Sequence, residues 1–400
     1  MSMTGKWMGR WLWWAAVLSI LVLSACQPRD TRTARVYVSL PLQGPKIGAS
    51  IWNGIKLAFD EIGNRVGNLD VELVVLDDGD AQGQWQPNKE AENAERAAAD
   101  PLALAYLGPM NSGAAKISIP ILNRAGVVQI NPSATWPGLT KPGYVQGEPG
   151  LFYPTGQRNF FRIVTTDEAQ GPAAAQWAKS EGVVTYYLLD DGEAYGSGIA
   201  NLFDGYAAQI ALYKLGRQTI DKTATDYREI LEKVKEANPD LVFFGGTVAN
   251  GGGRLLKQLR ELGITARFMG PDALMDTSLI EEAGAAAEGA MTTFVGVPPS
   301  RLTSAAGQKF VQAYRSLYNA EPEAYAPLGY DAAQVVIAAL AGSSTHDRAD
   351  VLASVRNLTS LTGVSGDFGF DQNGDTTLRQ VSGNVVKNGA FEFEQALTLP

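Results

Sequence analysis

The chain has 400 residues, a formal net charge of −9, one cysteine and one histidine. An acidic chain without a lysine/arginine cluster is poorly suited to nucleic acid. Single copies of Cys26 and His346 exclude an intrachain disulfide, a cysteine-based zinc site and a His-rich metal site.

In chain order, Met1 to Arg10 carries Lys6 and Arg10 and no acid, Trp11 to Leu23 is almost wholly apolar, and Leu23-Ser24-Ala25 leads into Cys26. A basic start, an apolar core and small residues before a cleavage point make an export signal, here residues 1–25. The apolar run falls short of the roughly 20 residues that span a bilayer comfortably. Leu-Ser-Ala-Cys resembles the lipobox of bacterial lipoproteins, which implies that the Cys26 sulfur is acylated and becomes the new N-terminus. An ordinary signal peptide or a membrane-anchoring helix, with an incidental cysteine, is the other reading. Residues 26–34 are polar and read as a tether. The body beyond is expected to be soluble, extracytoplasmic and held to the membrane by lipid alone.

From Arg35 onward, short apolar runs alternate with segments of helical period. The runs are Arg35–Leu42, Val71–Leu76, Ala103–Leu107, Val127–Asn131, Phe160–Val164 and Val183–Leu189, then Asp240–Phe244, Ala266–Met269 and Ala290–Val297. Between them, Ile51, Ile55, Phe59 and Ile62 share one helix face, as do Ile230, Leu231 and Val234. Strands alternating with helices predict an α/β fold with mainly parallel sheets covered on both faces. After the signal, roughly 375 residues remain, enough for two domains with proper cores.

Ligands of open α/β sheets gather beyond the carboxyl ends of the strands. The segments just after the runs are therefore the informative ones: Gly108-Pro109-Met110-Asn111-Ser112-Gly113-Ala114-Ala115, Asn131-Pro132-Ser133-Ala134-Thr135-Trp136, Asp190-Asp191-Gly192-Glu193-Ala194-Tyr195-Gly196, Gly245-Gly246-Thr247 and Gly270-Pro271-Asp272. Leu42-Gln43-Gly44-Pro45, Asp167-Glu168-Ala169-Gln170-Gly171-Pro172 and Gly329-Tyr330-Asp331-Ala332 complete the set. In this order they resemble the leucine/isoleucine/valine-binding family, the type I periplasmic substrate-binding proteins of amino-acid ABC importers. The resemblance runs from Val36 to about Phe393.

That resemblance implies two doubly wound lobes joined by three hinge crossings, residues 35–162 with 295–378 and residues 163–294 with 379–400, and a ligand in the cleft. It implies a monomer that hands an amino acid, or a similar small zwitterion, to a permease and its ATPase, with no cofactor and no catalysis. Ser112 matches the serine that holds the ligand carboxylate, and a Ser-Gly-Ala-Ala start, with Gly113, puts free N–H groups at a helix N-terminus; a plain N-cap is the alternative. Thr135 matches the threonine that touches both charged ends, and Ser133 a position that lends its carbonyl; a Pro-Ser turn explains the same residues. Asp272 falls where relatives pair an acid with the ligand ammonium, and a helix cap is the other explanation. Tyr195 matches a tyrosine at the second lobe's rim that can stack on the ligand and donate one hydrogen bond, and a buried structural tyrosine is the alternative.

The departures bear on specificity. Thr247 stands where leucine-binding members carry an aromatic, and Lys46 and Ile47 occupy a shortened first loop at another such place. Trp136, Trp52 and Trp85 are spare aromatics, for the side-chain pocket or for packing. The Pro/Gly-rich insertion at 147–159 either covers a cleft edge or is a bare surface loop. Asp371-Gln372-Asn373-Gly374-Asp375 imitates a calcium loop but has Thr376 and Ser382 where a glycine and an acid are required; Asn-Gly reads as a turn. Neither a Walker A pattern nor a Gly-x-Ser-x-Gly elbow occurs, which argues against an exported hydrolase. A sensor of the same fold, signalling amides or other small polar metabolites, is the second functional reading.

Overall fold

A computed structural model describes residues 32–399. The export signal, Cys26 and most of the tether lie outside the described residues. The first strand, β1 (Arg32–Leu40), begins three residues earlier than the apolar run suggests. Its extra residues are exposed at Arg32 and Thr33 and pair with Leu69 and Asp70 of β3 (Leu69–Asp77). Backbone pairing extends the strand at those two positions, and the third extra residue, Ala34, is fully buried.

The strands form two main sheets. The first has the order β2-β3-β1-β4-β5-β6, with β2 (Arg65–Val66), β4 (Ala103–Leu107), β5 (Val128–Asn131) and β6 (Phe160–Arg162). It is parallel apart from β2. Helices α1 (Lys46–Glu61), α2 (Pro87–Ala99) and α3 (Ser112–Ala125) connect its strands. The second sheet runs β15-β14-β11-β10-β9-β7-β8. Its parallel part comprises β7 (Thr185–Asp190), β8 (Tyr213–Thr219), β9 (Leu241–Gly245), β10 (Arg267–Gly270) and β11 (Met291–Phe294), and an antiparallel hairpin, β14 (Ser382–Lys387) and β15 (Ala390–Ala396), closes one edge. Helices α4 (Asp167–Ser180), α5 (Ala194–Gln209), α6 (Arg228–Ala237), α7 (Gly252–Glu261) and α8 (Thr277–Ala283) belong to this half. The chain passes between the sheets after β6, after β11 and before β14.

Between the second and third crossings, α9 (Ala305–Tyr318), α10 (Ala326–Gly342) and α11 (Arg348–Arg356) return to the first half. There α10 packs on α1 at glycine distance. A Cβ on Gly54 would fall 2.0 Å from the Ala326 carbonyl oxygen, and one on Gly329 would fall 2.2 Å from that of Ile51. Ile51, Ile55 and Phe59 on α1 are fully buried, as their spacing predicts. Two minor strands, β12 (Leu361–Thr362) and β13 (Asp367–Phe368), pair in a small ribbon before the last crossing.

Each main sheet reverses its strand order once, between β1 and β4 in the first and between β7 and β9 in the second. The loops after those strands diverge there and leave a crevice. The two crevices face each other.

Candidate ligand-binding site

A small cavity lies where the crevices meet. Met110, Asn111, Ser112, Ser133 and Tyr325 line it from the first half; Tyr195, Thr247, Asp272 and Ala273 line it from the second. Of the residues singled out in the sequence, Ser112, Ser133, Tyr195, Thr247 and Asp272 meet in this one space.

Ser112 is the first residue of α3, and the N-cap is Asn111, so the capping explanation of Ser112 does not hold. The first intrahelical bond runs from the Ala115 N–H to the Asn111 carbonyl. The N–H groups before it are free of helical partners and favour an anion. The Ser112 hydroxyl oxygen accepts the Trp136 N–H at 3.2 Å, which leaves its own hydrogen available. Ser133 is fixed by the Asn131 side chain, which accepts its N–H at 2.9 Å, and it donates its hydroxyl to the Met110 carbonyl at 3.0 Å. Thr247 uses its hydroxyl oxygen to accept the Asn250 N–H at 3.1 Å.

Asp272, 1 % exposed, opens a short turn after β10. Its carboxylate accepts the Tyr195 hydroxyl at 2.6 Å and also the Tyr325 hydroxyl, one from each half of the molecule. Burial pushes its pKa up, and the two tyrosine hydroxyls work against that. Burial and the Asp272 charge push both tyrosine hydroxyls well above their usual range, so they stay protonated donors.

Thr135, Gly113 and Trp136 do not line the cavity. Thr135 is fully buried; its carbonyl accepts the Asp167 N–H at 3.1 Å, and its hydroxyl has no hydrogen-bond partner. Asp167, fully buried at the start of α4, likewise has no partner for either carboxylate oxygen. Burial and the Asp272 charge raise its pKa strongly. The helix dipole at that terminus favours its ionised form. Asn111 and Gln170 add two further buried amide oxygens without partners. Gly113 packs under Trp85, where a Cβ would come 2.6 Å from the indole. Trp136 joins a cluster with Ile119, Leu139, Phe152 and Phe160 and donates its indole N–H to Glu148 at 2.8 Å. Lys116 pairs with the same carboxylate at 2.7 Å. The insertion at 147–159 thus braces Trp136, whose ring meets α5 at Gly198; a Cβ there would be 2.5 Å from the ring.

Asp167 and Tyr325 are the residues that sequence reasoning did not single out. Asp167 stands in a motif already recognised, but its unpartnered oxygens depend on distant burial. Tyr325 is the residue before α10 and carries no local sign of a site.

A second cavity adjoins the first and shares Met110, Asn111, Thr247 and Ala273 with it. Pro41, Pro45, Ile47, Val248 and Ala249 supply most of its remaining wall, and no charged side chain lines it. One end of the combined space thus carries hydroxyls, a helix N-terminus and the buried Asp272 carboxylate, and the other is mainly apolar.

The periplasmic binding protein family matches residues 35–389. Leu/Ile/Val-binding protein homolog 1 of Brucella abortus (strain 2308) is 26% identical over 349 residues, 86% of this chain and 87% of that one. A leucine-, isoleucine-, valine-, threonine-, and alanine-binding protein of Pseudomonas aeruginosa is 27% identical over 354 residues, again 86% of this chain and 87% of the relative. Among solved structures, the leucine-binding protein LivK of Thermotoga maritima superposes with a TM-score of 0.80 at 28% identity, covering 91% of this chain and 98% of that chain.

Proposed function

The chain belongs to the periplasmic binding protein family, and from that premise we propose that it captures an α-amino acid with an aliphatic side chain and delivers it to an ABC permease. The observation that carries the reading is the polarity of the joined cavities. A zwitterion needs an anion site and a cation site a few ångströms apart. The N-terminus of α3 with Ser112 supplies the first. Asp272, with Asp167 behind it, supplies the second.

An ammonium taken out of water costs several kcal/mol unless a charge meets it. Two buried carboxylates that lack a cation of their own are suited to that role. Thr135 lies beside Asp167, behind the cavity wall, where its hydroxyl favours the ionised form of that carboxylate. The apolar cavity then receives the side chain. Its walls of Pro41, Pro45, Ile47, Met110 and Val248 favour branched aliphatic groups, and a charged side chain would be buried there unpaired. Closure is productive because Asp272 and Tyr195 come from one lobe while Ser112 and Tyr325 come from the other. The Leu-Ser-Ala-Cys run supports anchoring by lipid on Cys26 at the outer face of a cell membrane.

Isothermal titration calorimetry against amino acids, small amides and aromatic acids tests this reading. Leucine, isoleucine, valine and alanine are expected to bind, and arginine and glutamate to fail. A protein that binds none of the aliphatic amino acids overturns the proposal.

A further inference from the structure

Beside the cavity, the two halves touch through a charged cluster. Lys46, the first residue of α1, places its ammonium 2.8 Å from the Thr277 hydroxyl oxygen, 2.5 Å from a Glu281 carboxylate oxygen and 3.9 Å from one of Glu323. The next residue, Ile47, donates its N–H to Asp276 at 3.0 Å. Asp276 is also the N-cap of α8 and accepts the Ser278 N–H at 2.7 Å. Thr277 donates its hydroxyl to Glu323 at 2.5 Å. Lys46, Ile47 and Glu323 belong to the first lobe; Asp276, Thr277 and Glu281 belong to the second.

We propose that this cluster is a latch that stabilises the closed cleft without any contribution from ligand, with Lys46 as its positioning residue. The inference rests on the two-lobe closure described above. Three observations carry it. First, every bond from Lys46 and Ile47 to Asp276, Thr277 and Glu281 spans the lobes, so opening breaks all of them together. Second, the latch residues adjoin the cavity walls. Ile47 itself lines the apolar cavity, Asp276 ends the short segment that begins at Asp272, and Glu323 precedes Tyr325 by a single intervening residue. Engaging the latch therefore sets the walls of the site. Third, the Lys46 ammonium meets the carboxylates of Glu281 and Glu323, and the neighbouring Ile47 N–H meets that of Asp276. Burial raises the pKa of Asp276 and of Glu323, as expected for acids drawn into an interface. Without Lys46 the same acids would confront one another across the cleft, and closure would be opposed.

The Lys46 side chain is 40% exposed, so salt reaches it. The test is the ligand-free interlobe distance of the full chain, by fluorescence energy transfer between dyes on unnatural amino acids at exposed Leu317 and Tyr213. The wild-type closed population is expected to fall as salt rises from about 20 to about 500 mM. Lys46→Met is expected to lower it about three- to tenfold and to abolish its decline with salt, and Glu281→Gln is expected to act in the same direction more weakly. Lys46→Arg restores the wild-type distribution. A wild-type protein without a closed population when ligand-free, or a Lys46→Met protein indistinguishable from it, overturns the latch. Because this readout is taken without ligand, it stands or falls separately from whether an aliphatic amino acid binds.

Discussion

The hinge and the cavity both bury carboxylates, and they differ in where the opposing charge comes from. At the hinge, Asp375 receives the Arg162 guanidinium at 2.7 Å and the Lys141 ammonium at 3.2 Å. Burial alone would raise its pKa; the two cations more than offset that and hold the carboxyl below its usual range. At the cavity, the Asp272 carboxylate accepts neutral tyrosine hydroxyls, the Asp167 carboxylate behind it is bonded to no cation, and both pKa values move up. Arg162 is near enough to lower the pKa of Asp167, but not enough to reverse the shift. A buried acid that carries its own cation is a structural tie. A buried acid ringed by neutral donors, or by none, is suited to a cation from outside.

The largest expected effect tests the structural half of that contrast. Arg162, fully buried, also donates to the carbonyls of Ala134 at 3.0 Å and Trp136 at 2.7 Å, and so clamps the loop that carries Thr135. Arg162→Met strips Asp375 and two carbonyls of a partner at once. Breaking a buried pair from one side costs about 3–5 kcal/mol, and urea unfolding should show a loss of that order. A loss below about 1 kcal/mol would mean that Lys141 and the Thr140 hydroxyl together satisfy Asp375.

Asp272→Asn tests the other half, and its effect should appear in binding, not in folding. Losing a charged hydrogen bond to the ligand ammonium should weaken affinity by about 1.5–3 kcal/mol, measured by calorimetry. Unfolding free energy should hold or rise, because a buried charge without a cation is removed. Unchanged affinity would exclude Asp272 from the site. A large loss of stability would place it with Asp375 as a structural tie.

Sequence reasoning reached the two regions unequally. Buried parallel strands announce themselves as short apolar runs, and Ala103–Leu107 matches β4 residue for residue. The edge strand β8 escapes because most of its side chains face solvent and no apolar run marks it. The β14–β15 hairpin carries an Asn388-Gly389 turn, but β15 alternates only between half-buried and exposed positions, too weak a pattern to read. Strand ends in α/β sheets are where ligands gather, which marks the loops that carry Ser112, Ser133, Tyr195, Thr247 and Asp272; the family resemblance singles out the residues within them. Tyr325 arrives from a helix start packed on α1 through Gly54 and Gly329, and nothing local announces that approach. The calcium-like run at the hinge is a turn in which Asp371 accepts the N–H groups of Asn373 and Asp375 at 2.7 and 3.0 Å. Its last acid is turned toward Arg162.

A third buried acid gives the comparison its smallest and sharpest test, because among the described residues no donor bonds its carboxylate. Asp78, fully buried, has no hydrogen-bond partner for either carboxylate oxygen. Lys89, the one cation that lowers its pKa, instead donates its ammonium to the Gly79 carbonyl. Burial and the adjacent Asp77 charge push the Asp78 carboxyl up to about 7. Nearby Glu90, which accepts the hydroxyls of Ser39 at 2.6 Å and Tyr106 at 3.0 Å, is raised as well by burial and by Asp78. A folded-state pKa above the unfolded value means that the folded protein holds a proton that the unfolded chain has already released. Stability from this group is therefore complete below about pH 4 and is lost as pH rises through about 7. Asp78→Asn removes that dependence. It should flatten the stability curve between about pH 5 and pH 8 and exceed the wild type at the upper end by on the order of 1 kcal/mol, measured by urea unfolding at both pH values. Ligand affinity should not change, since Asp78 lines neither cavity. If wild-type stability instead increases across that range and Asp78→Asn lowers it, Asp78 is ionised in the folded protein and has a cation or ordered water as its partner.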